Sequence, residues 1–226
     1  MALRGVLALA LLASACTATE VPTRRVVSEP IRVAEVRAPA HVPAPAPVPS
    51  PTPGTTPAPA PVSVRYRVEV RIPDDDGFER FVHETLADPR GWSRAGFELR
   101  PDRSAPYVVV LAEGDEVDEL CHPYDTGGRY SCQNGPVVAL NADRWRTAVP
   151  GWPASLDEYR LYLVNHEVGH LLGQRHRPCP GPGSIAPVMF QQSGNLRGCR
   201  PNGWPTQAEI ERASRHDQML APGYGE

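Results

Sequence analysis

One stretch of the sequence, residues 166–176, has residue types and spacings that could carry out chemistry. His166 and His170 are four residues apart, and His176 follows six residues later. Side chains four residues apart lie on one face of an α-helix, so these two imidazoles could bind one metal ion. His176 would supply a third ligand. Three protein ligands with one open position are typical of catalytic zinc, whereas structural zinc usually has four protein ligands.

Two further residues favour a catalytic role for this stretch. Glu167 directly follows the first histidine, where its carboxylate would lie beside the metal and could accept a proton from water. Gly173 can adopt a positive φ, which would turn the chain out of the helix and bring His176 back to the metal. The pattern H-E-x-x-H-x-x-G-x-x-H thus predicts one catalytic zinc ion with Glu167 as general base. Histidines on an ordinary amphipathic helix, and zinc held only for structure, are the alternatives.

A long helix is needed to position these ligands. Ser155 and Glu158 have the spacing of a capping box, which predicts that the helix begins well upstream of His166. Apolar residues at helical spacing follow, namely Leu161, Val164, Val168, Leu171 and Leu172. We therefore expect a helix that is buried on one side and faces a cleft on another.

The whole pattern is similar to that of the metzincin zinc peptidases, which also have a methionine turn beneath the metal. Residues 186–189 follow the third histidine at a suitable distance, and Met189 is the candidate for that turn. Two departures prevent the transfer of a subfamily or substrate. Arg177 follows the third histidine in place of a family-marking residue, and Gln191 stands where some families have a tyrosine.

The chain also resembles an uncharacterised metzincin-like family of secreted actinobacterial proteins, described as a domain of unknown function. This resemblance runs from about residue 63 to residue 205 and is densest in 164–167, 179–183, 187–189, 191–192 and 198–202. It implies an α+β fold of the metzincin type. Such a fold has a small twisted mixed sheet, an active-site helix, a methionine turn and a C-terminal helix.

The remaining elements are predicted from local patterns. Strands are expected at 64–72, 97–100, 107–112 and 137–141, with a helix at 78–88, a loop at 121–132, and a closing helix from Thr206 to about Met219. The resemblance implies that the last strand lies at the edge of the sheet above the cleft. Residues 136–140 would then offer their backbone to an extended peptide.

Four cysteines of the folded part form an even set, Cys121, Cys132, Cys179 and Cys199. In an exported protein an even set indicates disulfides, and four cysteines allow three pairings. Short loops favour Cys121–Cys132 and Cys179–Cys199, because closing a shorter loop costs less entropy. A four-cysteine zinc site is the rival, although neither spacing resembles a zinc knuckle.

The N-terminal part of the sequence predicts export and a membrane anchor. Residues 1–16 have a positive start, an apolar core and small residues before Cys16, which is the pattern of a bacterial export signal. Cys16 resembles the lipid-modified cysteine of a lipobox, except that Ala13 stands where leucine is usual; plain secretion is the alternative. Residues 17–62 form a linker rich in proline and alanine that cannot build a core. The catalytic domain is expected at 63–226.

The net charge of −3 is small, and no basic run follows the linker, so nucleic-acid binding is not expected. We predict a monomeric zinc-dependent endopeptidase that hydrolyses a peptide or protein substrate outside the cell membrane. Two alternatives stay open. One is a hydrolase of peptidoglycan cross-links, and the other is a zinc-binding envelope lipoprotein without catalysis.

Overall fold

A computed structural model describes residues 60–73 and 77–215 of the chain. The predicted α+β class is confirmed, because five strands form one mixed sheet and several helices pack around it. The predicted export signal with Cys16, the linker up to residue 59, and the end of the closing helix near Met219 lie outside the described residues. Among the residues that are described, none of the helices is both long enough and apolar enough to cross a bilayer.

Five strands form the sheet, and its edge differs from the expected one. The strands are β1 (Val62–Val70), β2 (Phe97–Pro101), β3 (Tyr107–Ala112), β4 (Cys132–Asn134) and β5 (Val137–Asn141). Their order is β2-β1-β3-β5-β4, with β4 antiparallel to β5 and the other neighbours parallel.

The expectation that residues 136–140 form the edge is wrong, because β5 pairs with β3 on one side and with β4 on the other. Gly135, at φ 54°, and Pro136 form a two-residue turn that folds β4 back onto β5. The edge on this side of the sheet is therefore β4, which has only three residues and is too short to be recognised by the alternation of apolar and polar residues.

The described residues form five α-helices beside the sheet, and two of these helices were not predicted. They are α1 (Phe78–Ala87), α2 (Gly114–Cys121), α3 (Ala142–Thr147), α4 (Leu156–Leu171) and α5 (Gln207–Arg215). The unpredicted helices α2 and α3 are short, and short helices depend on tertiary packing more than on local preference. Val117 and Cys121 of α2 are fully buried against one face of the sheet. Asn141 caps α3 by accepting hydrogen bonds from the backbone N–H groups of Asp143 and Arg144.

Helix α4 begins where the capping box predicts. The Ser155 side chain accepts a hydrogen bond from the Glu158 N–H at 3.1 Å, and the Glu158 carboxylate accepts one from the Ser155 N–H. The helix packs against the opposite face of the sheet from α2, in the main core. It is more buried than the pattern suggests: even His166 and Glu167 are only 4% and 6% exposed.

Both predicted disulfides are present. Cys121 and Cys132 join the end of α2 to the first residue of edge strand β4, with Cα atoms 6.1 Å apart. The predicted loop between them thus runs from a helix end to a strand start. Cys179 and Cys199 join the chain after the third histidine to the chain after Met189, with Cα atoms 6.0 Å apart. Each disulfide therefore constrains one segment that lies beside the histidines.

Candidate metal centre

The C-terminal end of α4 brings the three predicted histidines together. Gly173 has φ 77°, its N–H donates to the carbonyl of His170, and the N–H of Gln174 donates to the carbonyl of Gly169. These two bonds form a Schellman motif, in which glycine takes the left-handed position without strain. The turn reverses the chain as predicted, so that His176 approaches the helix again.

The ring nitrogens of the three histidines converge on one point. The Nε2 atom of His170 lies 3.3 Å from that of His166 and 3.2 Å from that of His176. The potential ligand atoms of all three residues lie within 4.8 Å of one another. The predicted ligand set is therefore assembled as a cluster that could hold a metal ion.

Backbone carbonyls determine which nitrogen of each helix histidine is free to bind. His166 Nδ1 is 2.7 Å from the carbonyl oxygen of Val188, and His170 Nδ1 is 2.8 Å from that of Gln174. A carbonyl can only accept, so each Nδ1 carries the proton and each Nε2 has a lone pair. Two such lone pairs facing each other cannot form a hydrogen bond, and a cation between them removes their repulsion.

The cluster also has dimensions that suit a metal ion with imidazole ligands. Two nitrogens bound about 2.05 Å from a tetrahedral ion lie about 3.3 Å apart. The observed Nε2–Nε2 distances of 3.2 and 3.3 Å agree with that spacing. The three nitrogens and the two carbonyls that orient the imidazoles thus fit a zinc-like ion without rearrangement.

Burial favours the neutral form of these histidines. It lowers the pKa of His170 to about 4 and the pKa of His166 well below its usual value, and it lowers the pKa of His176 as well. The like charge that neighbouring histidines would carry adds to the shifts of His166 and His170. Neutral imidazole is the form that binds metals.

Glu167 lies beside the cluster on the same helix and lines the same cavity as the three histidines. Burial raises the pKa of its carboxyl group to about 8. A cation held by the histidines would favour the carboxylate and oppose that rise. A carboxyl group so placed is chemically suited to exchange protons with a molecule in the cavity.

The cavity above the histidines has two walls. One wall comes from residues 124–133, including β4, and the other from residues 190–197, which follow Met189. Gln191 and Asn195 line the second wall. Gln192 does not: its side chain is fully buried and bonds to the backbone of Asn202 and Pro187. Of Gln191, Gln192 and Asn195, only Gln191 and Asn195 can therefore contact a ligand in the cavity.

Met189 lies in a buried turn directly against α4. A Cβ atom built on Gly169 would lie only 2.5 Å from the Met189 sulfur and 2.8 Å from the ring of Trp92. Glycine in the middle of a helix is unfavourable by about 1 kcal/mol relative to alanine. The close packing of Met189 and Trp92 is the physical reason for a glycine between His166 and His170.

We expect Gly169→Ala to lower the free energy of unfolding by about 1–3 kcal/mol. The new methyl group must displace the rigid Trp92 ring, which outweighs the gain in helix propensity. Urea denaturation of the oxidised protein measures the change. Gly194→Ala is the matched control, because its new Cβ would meet nothing closer than 3.7 Å. Equal stability of the two variants would contradict the close-packing explanation.

Glu209 holds the Met189 turn in place, a role that sequence reasoning missed. Its buried carboxylate accepts hydrogen bonds from the N–H groups of Val188 at 3.1 Å and Met189 at 2.8 Å. It also accepts from the N–H and hydroxyl of Thr206 at 2.8 and 2.7 Å. The T-x-x-E pattern indicated only the second pair, as a helix cap. Since the carbonyl of Val188 accepts a hydrogen bond from His166, Glu209 supports a histidine of the cluster through the turn.

Glu209→Gln is expected to lower the free energy of unfolding by about 2–4 kcal/mol, because an amide NH2 would face backbone N–H donors in a buried site. Zinc affinity should fall by about tenfold or more, as for loss of an outer partner of a metal ligand. Urea denaturation and a competitive zinc chelator measure these two effects. The exposed Glu211→Gln on the same helix is the control. A Glu209→Gln protein with the stability of that control would refute the role.

Sequence comparison places the chain in a family. The model of a family described as "Protein of unknown function (DUF3152)" matches residues 54–205, more than half of the chain. The chain belongs to the DUF3152 family. The region that matches DUF3152 contains all five strands, the histidine cluster and both disulfides. A search of curated proteins finds no match. The DUF3152 description names no activity.

Proposed function

We propose that this protein is a zinc-dependent endopeptidase that acts outside the cell membrane. One observation carries the proposal: three histidine Nε2 atoms converge in a cavity that Glu167 also lines. The cluster comprises three residues and lies in an open cavity, whereas structural zinc sites usually have four protein ligands and are closed. A scaffold would have no need of a carboxyl group beside its ligands.

The residues of the site have distinct roles in this proposal. His166, His170 and His176 would hold the zinc ion, which when bound acidifies water and polarises a carbonyl group. The Glu167 carboxylate accepts the proton of the attacking water and then donates it to the amine nitrogen of the leaving group. The carbonyls of Val188 and Gln174 keep two imidazoles oriented.

The proposal includes a metzincin-like arrangement of the cleft. Three features support it: the eleven-residue histidine pattern, the buried Met189 turn against α4, and the antiparallel edge strand β4. Cys132 and Gln133 of β4 line the cavity. An extended peptide would pair with β4, not with β5 as the sequence pattern implied, and the Cys121–Cys132 disulfide would hold that edge in place.

The proposed location is the outer face of the cell membrane. Two disulfides favour an oxidising compartment. Attachment through a lipid on Cys16 is part of the proposal and rests on the sequence pattern alone. Mass spectrometry of the N-terminal peptide from the producing cells would detect a diacylglyceryl cysteine.

The proposed function is tested with the full chain, purified with its disulfides intact. We expect about one equivalent of zinc by elemental analysis. We also expect hydrolysis of casein that a chelator abolishes and added zinc restores. Absence of zinc would overturn the metal assignment. Zinc without hydrolysis of casein or of purified cell wall would favour a non-catalytic lipoprotein, and hydrolysis of cell wall alone would favour a peptidoglycan hydrolase.

A further inference from the structure

Arg197 places a cation in the wall of the cavity that residues 190–197 form. Its side chain is exposed and lines the same cavity as Glu167 and the three histidines. Among the described residues, its guanidinium takes part in no hydrogen bond or ion pair. Many arginines elsewhere in the domain are paired with acids, for example Arg65 with Asp102 and Arg146 with Glu113. The guanidinium N–H groups of Arg197 are therefore available to a ligand in the cavity.

The backbone at Arg197 is held firmly in place. Its N–H donates to the Asn195 side chain at 2.7 Å, and the carbonyl of Leu196 accepts from Cys199 at 2.9 Å. The Cys179–Cys199 disulfide lies two residues further on and links this wall to the chain after His176. A cationic side chain on a segment fixed in this way can bind a ligand selectively, because the backbone loses little conformational entropy on binding.

The conformation of Arg197 is unfavourable for a residue with a side chain. Its φ is 51°, in the left-handed region that glycine and asparagine usually occupy. Such outliers persist where the surrounding structure enforces them, and they are frequent at functional sites. Glycine would serve the fold at least as well at this position, so the presence of arginine calls for a role of its side chain.

The charges of the cleft indicate what that role is. Outside the metal centre, the cavity contains two cations, Arg175 and Arg197, and one carboxylate, Asp125. Asp125 lies on the opposite wall, where its Oδ1 accepts from the N–H of Gly127. The wall with Arg197 therefore favours a negatively charged group on a ligand. The planar guanidinium matches a carboxylate with two parallel hydrogen bonds.

We propose that Arg197 is a specificity-determining residue that binds a carboxylate of the peptide substrate. The substrate is then a peptide with Asp or Glu near the cleaved bond, or with a free C-terminal carboxylate close to it. The inference rests on the proposed function. Arg175 lines the same cavity but lacks the left-handed φ that distinguishes Arg197.

The test compares matched peptides with the full-length, zinc-loaded, oxidised protein. Cleavage sites in a random peptide library are identified by mass spectrometry. Peptides with Glu or Gln at each of the nearest positions, and with a free or amidated C terminus, are then compared by kcat/KM. In one of these sets we expect kcat/KM to be roughly tenfold higher for the acidic peptide than for the neutral one, which we call the acid-to-neutral ratio. A charge-assisted hydrogen bond at an exposed site has about this effect. The ratio should fall as salt is raised.

Variants at two arginines assign the effect. Arg197→Gln should bring the ratio close to one, while Arg197→Lys should retain most of it. Arg200→Gln is the matched control, because Arg200 is exposed and directly follows the disulfide cysteine Cys199 but does not line the cavity. It should leave the ratio at the wild-type value. Arg197→Gly should melt at or above the wild-type temperature, since the side chain is not needed for the fold.

Three outcomes would overturn the inference. They are a wild-type ratio near one, an unchanged ratio in Arg197→Gln, and an equal loss in Arg200→Gln. If neutral peptides are cleaved, these outcomes leave the proposed function intact. If no peptide is cleaved, the proposed function fails, and the same labelled peptides are compared by fluorescence anisotropy. A binding ratio near one then refutes Arg197 as well, whereas an acidic preference lost in Arg197→Gln supports it.

Discussion

Glu167→Gln is expected to lower kcat for peptide hydrolysis by about 10²–10⁴-fold, the range for loss of a general acid–base group. The amide has nearly the same shape as the carboxyl group but cannot accept the proton of the attacking water. The three ligand histidines are untouched, so the variant should still bind about one equivalent of zinc with wild-type affinity. Initial rates on a quenched peptide and elemental analysis of the same sample measure both quantities.

The control for this substitution is Glu119→Gln on α2, which makes the same change at an exposed site outside the cavity. It should have wild-type activity and zinc content. Full activity of Glu167→Gln would remove this residue from the mechanism. Loss of zinc together with activity would instead show that Glu167 supports the metal site.

His170→Ala has the second large expected effect, a loss of zinc affinity of at least about a hundredfold. His170 occupies the middle of the cluster, within 3.2–3.3 Å of both other Nε2 atoms, so its removal leaves two separated ligands. Even loss of an outer partner of a ligand costs 10–100-fold in metal affinity. Competition with a chromophoric chelator gives the affinity, and hydrolysis should fall in parallel at limiting zinc.

His122→Ala provides the matched control, because His122 is an exposed histidine at the end of α2. Thermal unfolding of both variants in the presence of chelator shows whether the fold is retained. A zinc affinity of His170→Ala equal to that of His122→Ala would exclude the histidine cluster as the metal site. Restoration of binding by high zinc concentrations would agree with a weakened but correctly folded centre.

The features that could be predicted are those encoded in local spacing. The capping box at Ser155, the four-residue spacing of His166 and His170, and the glycine at 173 each act within a few residues. Their physical effects do not depend on distant parts of the chain. The disulfide pairing also followed from a local quantity, the length of the loop that each cysteine pair closes.

Other features arise only where distant segments meet. Strand β4 has three residues and becomes a strand because β5 lies beside it and a two-residue turn connects them. The sequence indicates Glu209 only as a helix cap, yet in the fold its carboxylate accepts hydrogen bonds from two backbone N–H groups 21 and 20 residues upstream. From the sequence alone, Gly169 is expected only to weaken helix α4, whereas in the structure Met189 and Trp92 pack directly against it. Sequence spacing contains no information on these approaches.

The sequence by itself therefore determined the three clustered histidines, the neighbouring carboxyl group and the helix that presents them, because short-range geometry connects residues 155–176. Tertiary structure decided everything around that helix: which strand forms the edge, which carbonyls orient the imidazoles, and which side chains form the walls. The position of Arg197 in the cleft belongs to this second group. It depends on a disulfide and a left-handed residue that bring the chain after Met189 back over the histidines.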